Sequence, residues 1–249
     1  MSINITTSAG TTVRIRIARD SDAAVFADFY RYYVEQTAIN FEYEAPDETE
    51  FVRRIHEILP QLPWLVAVAD DDTGGNASST NNERVLGYLF AEPVSTRGAY
   101  SWSVKSSIYL SRTARGQGIG SALYRELERI LVAQHIVNLY AIVTVTADDD
   151  LTDIGESATR LLWDESGLKR TSRTEPSAID QAADPHLPPT SPRFHHQLGF
   201  SVIGREIGSG YKFDTWYDKL LMQKKLGAPS DAVIPTVPFN ELSLYHDYL

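Results

Sequence analysis

The chain contains no cysteine. That excludes disulfides, zinc–thiolate sites and a thiol nucleophile or acyl carrier. Cationic charge is in short supply: 23 Lys and Arg stand against 33 Asp and Glu, for a formal net charge of −10. Such a surface repels phosphate backbones and anionic headgroups, which argues against nucleic acid and membrane surfaces as partners. No apolar run reaches the length of a membrane span. The polar start MSINITTSAGTT lacks the basic and apolar regions of a signal peptide, so a soluble, cytoplasmic protein is expected, with the sequons at Asn4 and Asn76 unused. No metal-ligand cluster is evident, since the adjacent His195 and His196 have the wrong spacing for a shared ion on a helix.

What is present is a chain of 249 residues with 43% hydrophobic and 10% aromatic content, enough to fill a core. Alternation predicts strands over Thr12–Ala18, Trp64–Ala69, Arg84–Glu92, Ala99–Leu110 (the longest), Val137–Thr146, Phe200–Ile207 and Phe213–Gln223. Val137–Thr146 is almost continuously apolar and is expected to lie centrally. Helical spacing of Val25, Phe29, Tyr32 and Tyr33 predicts a first helix capped by Asp20 or Ser21. Pro46 and Asp47 open a second, with an apolar stripe of Phe51, Ile55, Ile58 and Leu59. A third runs from a glycine-rich turn to about Gln134, and a short one spans Ser191–Leu198. Two segments, 70–83 and 147–190, break the pattern as insertions, the second long enough to suggest a lid. Within it Thr159–Arg170 reads as a short helix. The tail from Ala228 reads as an extended arm. The order β-α-α-β-β-β-α-β-α-β-β gives an α/β or α+β fold with a mixed sheet. One domain is expected over 1–227, with 228–249 as an extension.

The informative segment is SIYLSRTARGQGIGSALYREL, from Ser107 to Leu127. A strand ends at Leu110, and Arg115, Gly116, Gln117, Gly118, Ile119 and Gly120 turn the chain into a helix. Glycines let backbone N–H groups approach an anion, and a helix N-terminus adds unsatisfied donors and a positive dipole end. A P-loop would require Gly-Lys-Ser/Thr, and the loop has no lysine. The dinucleotide pattern GxGxxG fails at Ser121 and would follow the first strand of a βαβ unit. Arg115, Gly118 and Gly120 match Arg/Gln-x-x-Gly-x-Gly/Ala. Taken alone, the segment is equally an ordinary strand-to-helix turn.

More of the chain carries the same likeness. Phe41-Glu42, Arg97-Gly-Ala-Tyr100-Ser-Trp102, Ile108-Tyr109-Leu110, the glycine loop with Leu123-Tyr124, His195 through Phe200, Gly210-Tyr211-Lys212 and Trp216-Tyr-Asp218 agree in order with the phosphinothricin/methionine sulfoximine branch of the GCN5-related N-acetyltransferases. The chain resembles that family from about Thr12 to Leu226. The resemblance implies a mixed, mainly antiparallel twisted sheet flanked by helices, with the long insertion before the last helix. It also implies direct acetyl transfer from acetyl-CoA to the amine of a small molecule, and a homodimer. By the same resemblance Ile108, Tyr109, Leu110 and Arg115 to Ser121 would hold the cofactor. Leu110 N–H would meet the oxyanion. Phe41, Arg97, Tyr100, Trp102, Tyr211, Lys212 and Trp216 would contact the amine, with Arg97 suited to clamping a carboxylate or phosphinate.

The catalytic groups depart from the pattern. Relatives read Trp-Thr-Val-Glu along the long strand, whereas this chain reads Trp102-Ser103-Val104-Lys105. A protonated lysine cannot serve as base, so Glu42 is the expected base and Lys105 a candidate contact for an anionic substrate group. Their alternatives are a surface carboxylate and a solvated strand residue. His195 falls where the family places a tyrosine acid and could protonate the leaving thiolate; its alternative is a core histidine. Pro188 replaces the usual Asn. Lys105 and Pro188 keep open a CoA-binding protein of lost activity, and the insertion keeps open a peptide or protein acetyltransferase.

Overall fold

The computed structural model describes residues 3–6, 10, 12–70, 83–147, 149, 151–155, 159–164, 167–172, 184–188, 190–227 and 234–248. The insertion at 70–83 therefore lies almost wholly outside the described residues, as does much of 147–190. The strands are β1 (Ile3–Thr6), β2 (Thr12–Ile17), β3 (Trp64–Asp70), β4 (Glu83–Pro93), β5 (Ser103–Leu110), β6 (Asn138–Val145), β7 (Thr159–Asp164), β8 (Gly167–Ser172), β9 (Ser201–Lys212) and β10 (Thr215–Lys225). The helices are α1 (Ala23–Gln36), α2 (Glu48–Ile58), α3 (Ile119–Ala133) and α4 (Ser191–Gln197). Eight strands form one open sheet in the order β1-β2-β3-β4-β5-β6-β10-β9, while β7 and β8 pair separately. Among the described ladders only β5 with β6 is parallel. The expected mixed, mainly antiparallel α/β architecture is therefore present.

The chain forms two compact units: Met1–Tyr32 with Glu44–Tyr140 and Lys225–Leu249, and Tyr33–Tyr43 with Ala141–Lys224. In the first, α1 and α2 cover one sheet face through stacked aromatics. Phe26 meets Tyr88 at 4.3 Å and Trp64 at 5.7 Å between ring centroids, and Tyr30 meets Tyr109 at 4.9 Å. Offset and edge contacts of this kind add to the area term, which alone is worth roughly 1.5–3 kcal/mol per buried large side chain. The other face receives α3, whose Leu123, Leu127, Ile130 and Leu131 are fully buried. Covering both faces explains why burial along β5 follows no simple alternation. Ser106 is buried toward Tyr124 Oη at 3.1 Å, while Tyr109 is buried toward α1.

Three local expectations require correction. The longest strand is β9, because Gly98–Tyr100 winds into a 3₁₀ turn before β5. Asp20 and Ser21, expected to cap α1, lie with Asp22 in a separate 3₁₀ turn that precedes it, and there Asp22 accepts from Arg19 N at 2.8 Å. Residues 159–164 and 167–170 do not form a helix but lie in the antiparallel strands β7 and β8, paired from Thr159↔Ser172 to Asp164↔Gly167, and β-prone Thr159 and Trp163 fall in the first of them. The second helix begins as expected, with Asp47 accepting from Glu50 N at 2.9 Å.

The tail also differs from a plain arm. Residues 234–248 dock on the first unit through two 3₁₀ turns, Phe239–Glu241 and Ser243–Tyr248. Phe239, Leu242, Tyr245 and Tyr248 recur every third residue, the period at which 3₁₀ side chains align. Phe239 and Tyr248 are buried, and Gln134 Nε2 donates to both Gln61 O and Val237 O at 2.8 Å.

A buried ion pair braces the start of the first unit. Arg16 donates to both Asp22 carboxylate oxygens at 2.7 and 2.8 Å, and its Nε reaches Glu83 Oε2 at 2.8 Å. The Asp22→Ala variant leaves the Arg16 charge buried without this partner, so it should lose about 3–5 kcal/mol of unfolding free energy in urea. An unchanged midpoint would show that the pair does not brace the fold.

Candidate functional site

In the first unit, β5 delivers the chain to a glycine cradle. A 3₁₀ turn at Arg112–Ala114 follows, with Ala114 buried as its anchor. Gly116 and Gly118 then adopt φ of +73° and +81°, in the left-handed region. Only glycine enters that region without steric cost, which is why the turn needs both. Gly118 is the N-cap of α3 and brings no side-chain cap, and the first helical bond runs from Ala122 N to Gly118 O at 3.1 Å. The amides of Ile119, Gly120 and Ser121 thus occupy the first turn, at the positive end of the dipole. A Cβ built at Gly116 or Gly118 would meet no atom within 4 Å, so the space before these amides is open. Gln117 does not enter it: its Nε2 donates back to Thr113 O at 2.6 Å. The set fits a diphosphate, with exposed backbone, helix terminus and nearby cations.

Those cations share one ring. Arg112 and Arg115 place their guanidinium carbons 5.3 and 6.0 Å from the Tyr32 centroid. The spacing of the motif indicates Arg115; Tyr32 belongs to an amphipathic stripe in the sequence, and its place beneath the two guanidinium groups is visible only in three dimensions. Beside the cradle, Ser111 N donates to Leu86 O at 2.8 Å and Val94 N to Ser103 O at 3.5 Å. In that ladder phase Ile108 and Leu110 form non-hydrogen-bonded pairs with β4, so their backbone N–H and C=O groups point away from it. In the first unit β6 joins β5 only over Ser103–Lys105, short of these two residues.

The remaining candidates in this unit are more exposed. Arg97 caps the Gly98–Tyr100 turn and Tyr100 ends it, both at the surface. The Trp102 indole N–H donates to Ile234 O of the tail at 2.8 Å, so that group is committed to the protein rather than a ligand. Lys105 sits directly across from Glu92 in register and pairs with it at 2.8 Å, both side chains about one-third exposed. Lys105 is therefore one half of a cross-strand ion pair.

The second unit holds the other candidates. Phe41 and Glu42 follow the turn at 36–40. The Phe41 ring lies on Gly210, where an added Cβ would come within 2.4 Å of it, so position 210 tolerates no side chain without moving Phe41. Lys212 is 4% exposed and spends its ammonium on Thr37 O at 2.9 Å, Asn40 O at 3.1 Å and Asn40 Oδ1 at 3.4 Å. Burial pushes its proton affinity down, and the charge of Glu42 partly restores it. The expectation that Lys212 contacts substrate is thus corrected: three donors meet three protein acceptors, and the residue tethers the turn. Tyr211 and Trp216 face each other across β9 and β10, 5.1 Å between rings, at 43% and 61% exposure.

His195 also requires correction. It is buried between Phe194 and Phe200, and its Nδ1–H donates to Ser191 O at 2.8 Å. Burial pushes its imidazole down to about 4. Near neutral pH the ring is uncharged and its remaining nitrogen can only accept, which does not suit an acid. Sequence spacing had shown the helix but not its buried side. Sequence reasoning also missed Asp184, His186 and Tyr217, because the first two sit in the insertion and Tyr217 resembled a plain strand aromatic.

Comparison with known proteins agrees with this geometry. An acetyltransferase (GNAT) domain model matches residues 15–221. A phosphinothricin N-acetyltransferase of Streptomyces viridochromogenes is 25% identical over 225 residues, covering 90% of this chain and 94% of that protein. One from Streptomyces coelicolor is 32% identical over 133 residues, covering 52% of this chain and 71% of its own. A phosphinothricin acetyltransferase from Sinorhizobium meliloti, solved in complex with acetyl-CoA, superposes with a TM-score of 0.63 at 26% identity, covering 94% of this chain and 99% of that one. The chain belongs to the GCN5-related N-acetyltransferases. It is an acetyltransferase whose acyl donor is acetyl-CoA.

Two outcomes follow. Gly118→Ala strains a left-handed residue at roughly 1 kcal/mol and fills the cradle, so calorimetry should show CoA affinity falling about tenfold with the fold retained. Equal affinity would remove the cradle from the site. For His195, the unfolded imidazole binds protons more readily than the folded one, so its contribution is whole above pH 6.5 and lost as pH falls toward 4. Urea unfolding should lose about 2 kcal/mol from this group between pH 7 and pH 5. His195→Leu should abolish that part of the slope, and an unchanged slope would mean that the ring is charged when folded.

Proposed function

We propose that the chain transfers acetyl from acetyl-CoA to the amine of a small molecule, an amino acid analogue of the phosphinothricin or methionine sulfoximine kind. The observation that carries the reading is the glycine cradle at the start of α3, within a chain whose relatives are phosphinothricin N-acetyltransferases. When bound, acetyl-CoA supplies a thioester whose carbonyl carbon accepts the amine and whose thiolate departs. The amides of residues 116–121 hold its diphosphate, with Arg112 and Arg115 beside them. Leu110 N–H, directed away from β4, donates to the developing oxyanion. Glu42, half-buried after a pinned turn, takes the proton that an ammonium substrate must lose before it attacks, through water. Arg97 is an exposed guanidinium suited to the substrate's anionic group.

A homodimer belongs to the same reading. Strand β9 ends the sheet and exposes Ile203 and Ile207 at 52% and 45%, apolar surface of the kind a second copy covers. A cytoplasmic setting, where acetyl-CoA is available, completes it. The Lys105–Glu92 pair favours one other reading, a CoA-binding protein without turnover, since Lys105 stands where the family resemblance implies a carboxylate.

Thiol release from acetyl-CoA across a panel of amines and peptides, run beside a thermal shift with CoA, separates these readings. Turnover on amino acid analogues is expected. A thermal shift without turnover on any acceptor would establish the binding protein, and turnover on peptides alone would redirect the substrate class. Glu42→Gln should lower kcat by about 10²–10⁴ with acetyl-CoA KM unchanged; full activity would end the role given to Glu42.

A further inference from the structure

The turn that precedes Phe41 and Glu42 is held carbonyl by carbonyl. Gln36 O accepts from His186 Nδ1 at 3.2 Å, Thr37 O and Asn40 O from Lys212 Nζ at 2.9 and 3.1 Å, and Ile39 O from Thr144 Oγ1 at 3.3 Å. On the donor side, Ala38 N reaches His186 O at 2.9 Å and Ile39 N reaches Thr37 Oγ1 at 3.3 Å. A turn whose backbone groups are satisfied from several directions has little freedom left. His186 alone makes two of these bonds, from both its ring and its backbone. Its ring also stacks flat on Phe213, with centroids 3.9 Å apart and planes 7° from parallel.

His186 is itself placed by a carboxylate. Asp184 Oδ1 accepts His186 N at 2.7 Å while Oδ2 accepts the hydroxyl of Tyr217 at 2.8 Å. Tyr217 is fully buried in β10, and Leu187 packs beside it against Ala38, with Phe41 at the margin of the same apolar cluster. The end of the long insertion is thus latched to a rigid strand on one side and to the turn on the other.

We propose that Asp184, His186 and Leu187 form a positioning clamp that fixes the 36–42 turn and so sets how Phe41 and Glu42 meet the amine. Asp184 and His186 act through the turn rather than on the substrate, which makes them positioning residues. This rests on the acetyltransferase reading for its kinetic consequence, but the clamp itself is a structural statement. It gives the last segment of the insertion a part in amine selection.

The test compares His186→Ala, His186→Asn and Tyr217→Phe in the full-length protein. Loss of one hydrogen bond of ordinary strength predicts an amine KM raised about five- to tenfold in His186→Ala, with acetyl-CoA KM within about twofold. Its Ala38 and Ile39 amides should exchange faster with deuterium. Asn can donate from the position of Nδ1, so His186→Asn should recover most of the amine KM. Tyr217→Phe removes the Asp184 latch without changing shape and should loosen the same amides. Wild-type exchange at Ala38 and Ile39 in both His186→Ala and Tyr217→Phe would overturn the clamp, as would equal rises in both KM values. Should the wild-type protein acetylate no amine, the proposed function falls, and the exchange measurement still decides the clamp.

Discussion

Donor amides at the start of α3 can face an anion only because Gly116 and Gly118 both turn the chain through left-handed backbone. Each needs the absence of a Cβ for its conformation. The rest of the first unit secures that arrangement. Ala114 is buried beneath the turn, and α3 packs its leucines and isoleucines into the sheet. β5, fixed in register to β4, directs Leu110 N–H away from that strand. Backbone amides have their position set by packing, so an anion held by them costs no ordering of those donors on binding.

The second unit solves a different problem with side chains. A turn carrying Phe41 and Glu42 must keep its shape without a ladder of its own, and Lys212, Thr144 and His186 supply its partners. A lysine that is 4% exposed among carbonyls, near the charge of Glu42, is stable because all three ammonium donors are used. Buried polar side chains of this kind resemble site residues in a one-dimensional reading. Lys212 reads as a substrate contact and His195 as an acid, and both are hydrogen-bonded to backbone carbonyls within the protein.

Much of the architecture was legible because periodicity reports burial. The stripe of α2, the Asp47 cap and the apolar run of β6 all follow from spacing. The turn into α3 was legible from its glycines, although their spacing alone did not separate an anion site from an ordinary strand-to-helix turn. Alternation failed where both sheet faces are covered, as along β5, and where a turn interrupts a strand-like run, as at Gly98–Tyr100. The tail's every-third-residue apolar side chains were in plain view, yet a 3₁₀ period is rarely sought. The Asp184–His186 clamp was not legible at all, because its contacts join residues roughly 150 positions apart in sequence.

The most direct test of the account follows the backbone amides of the cradle by heteronuclear NMR while CoA is added. Resonances of Gly116, Gly118, Ile119, Gly120 and Ser121 should shift together and saturate with one dissociation constant, the first-turn amides moving most. Saturating CoA that shifts other resonances and leaves these five in place would contradict the assignment of the diphosphate to the start of α3.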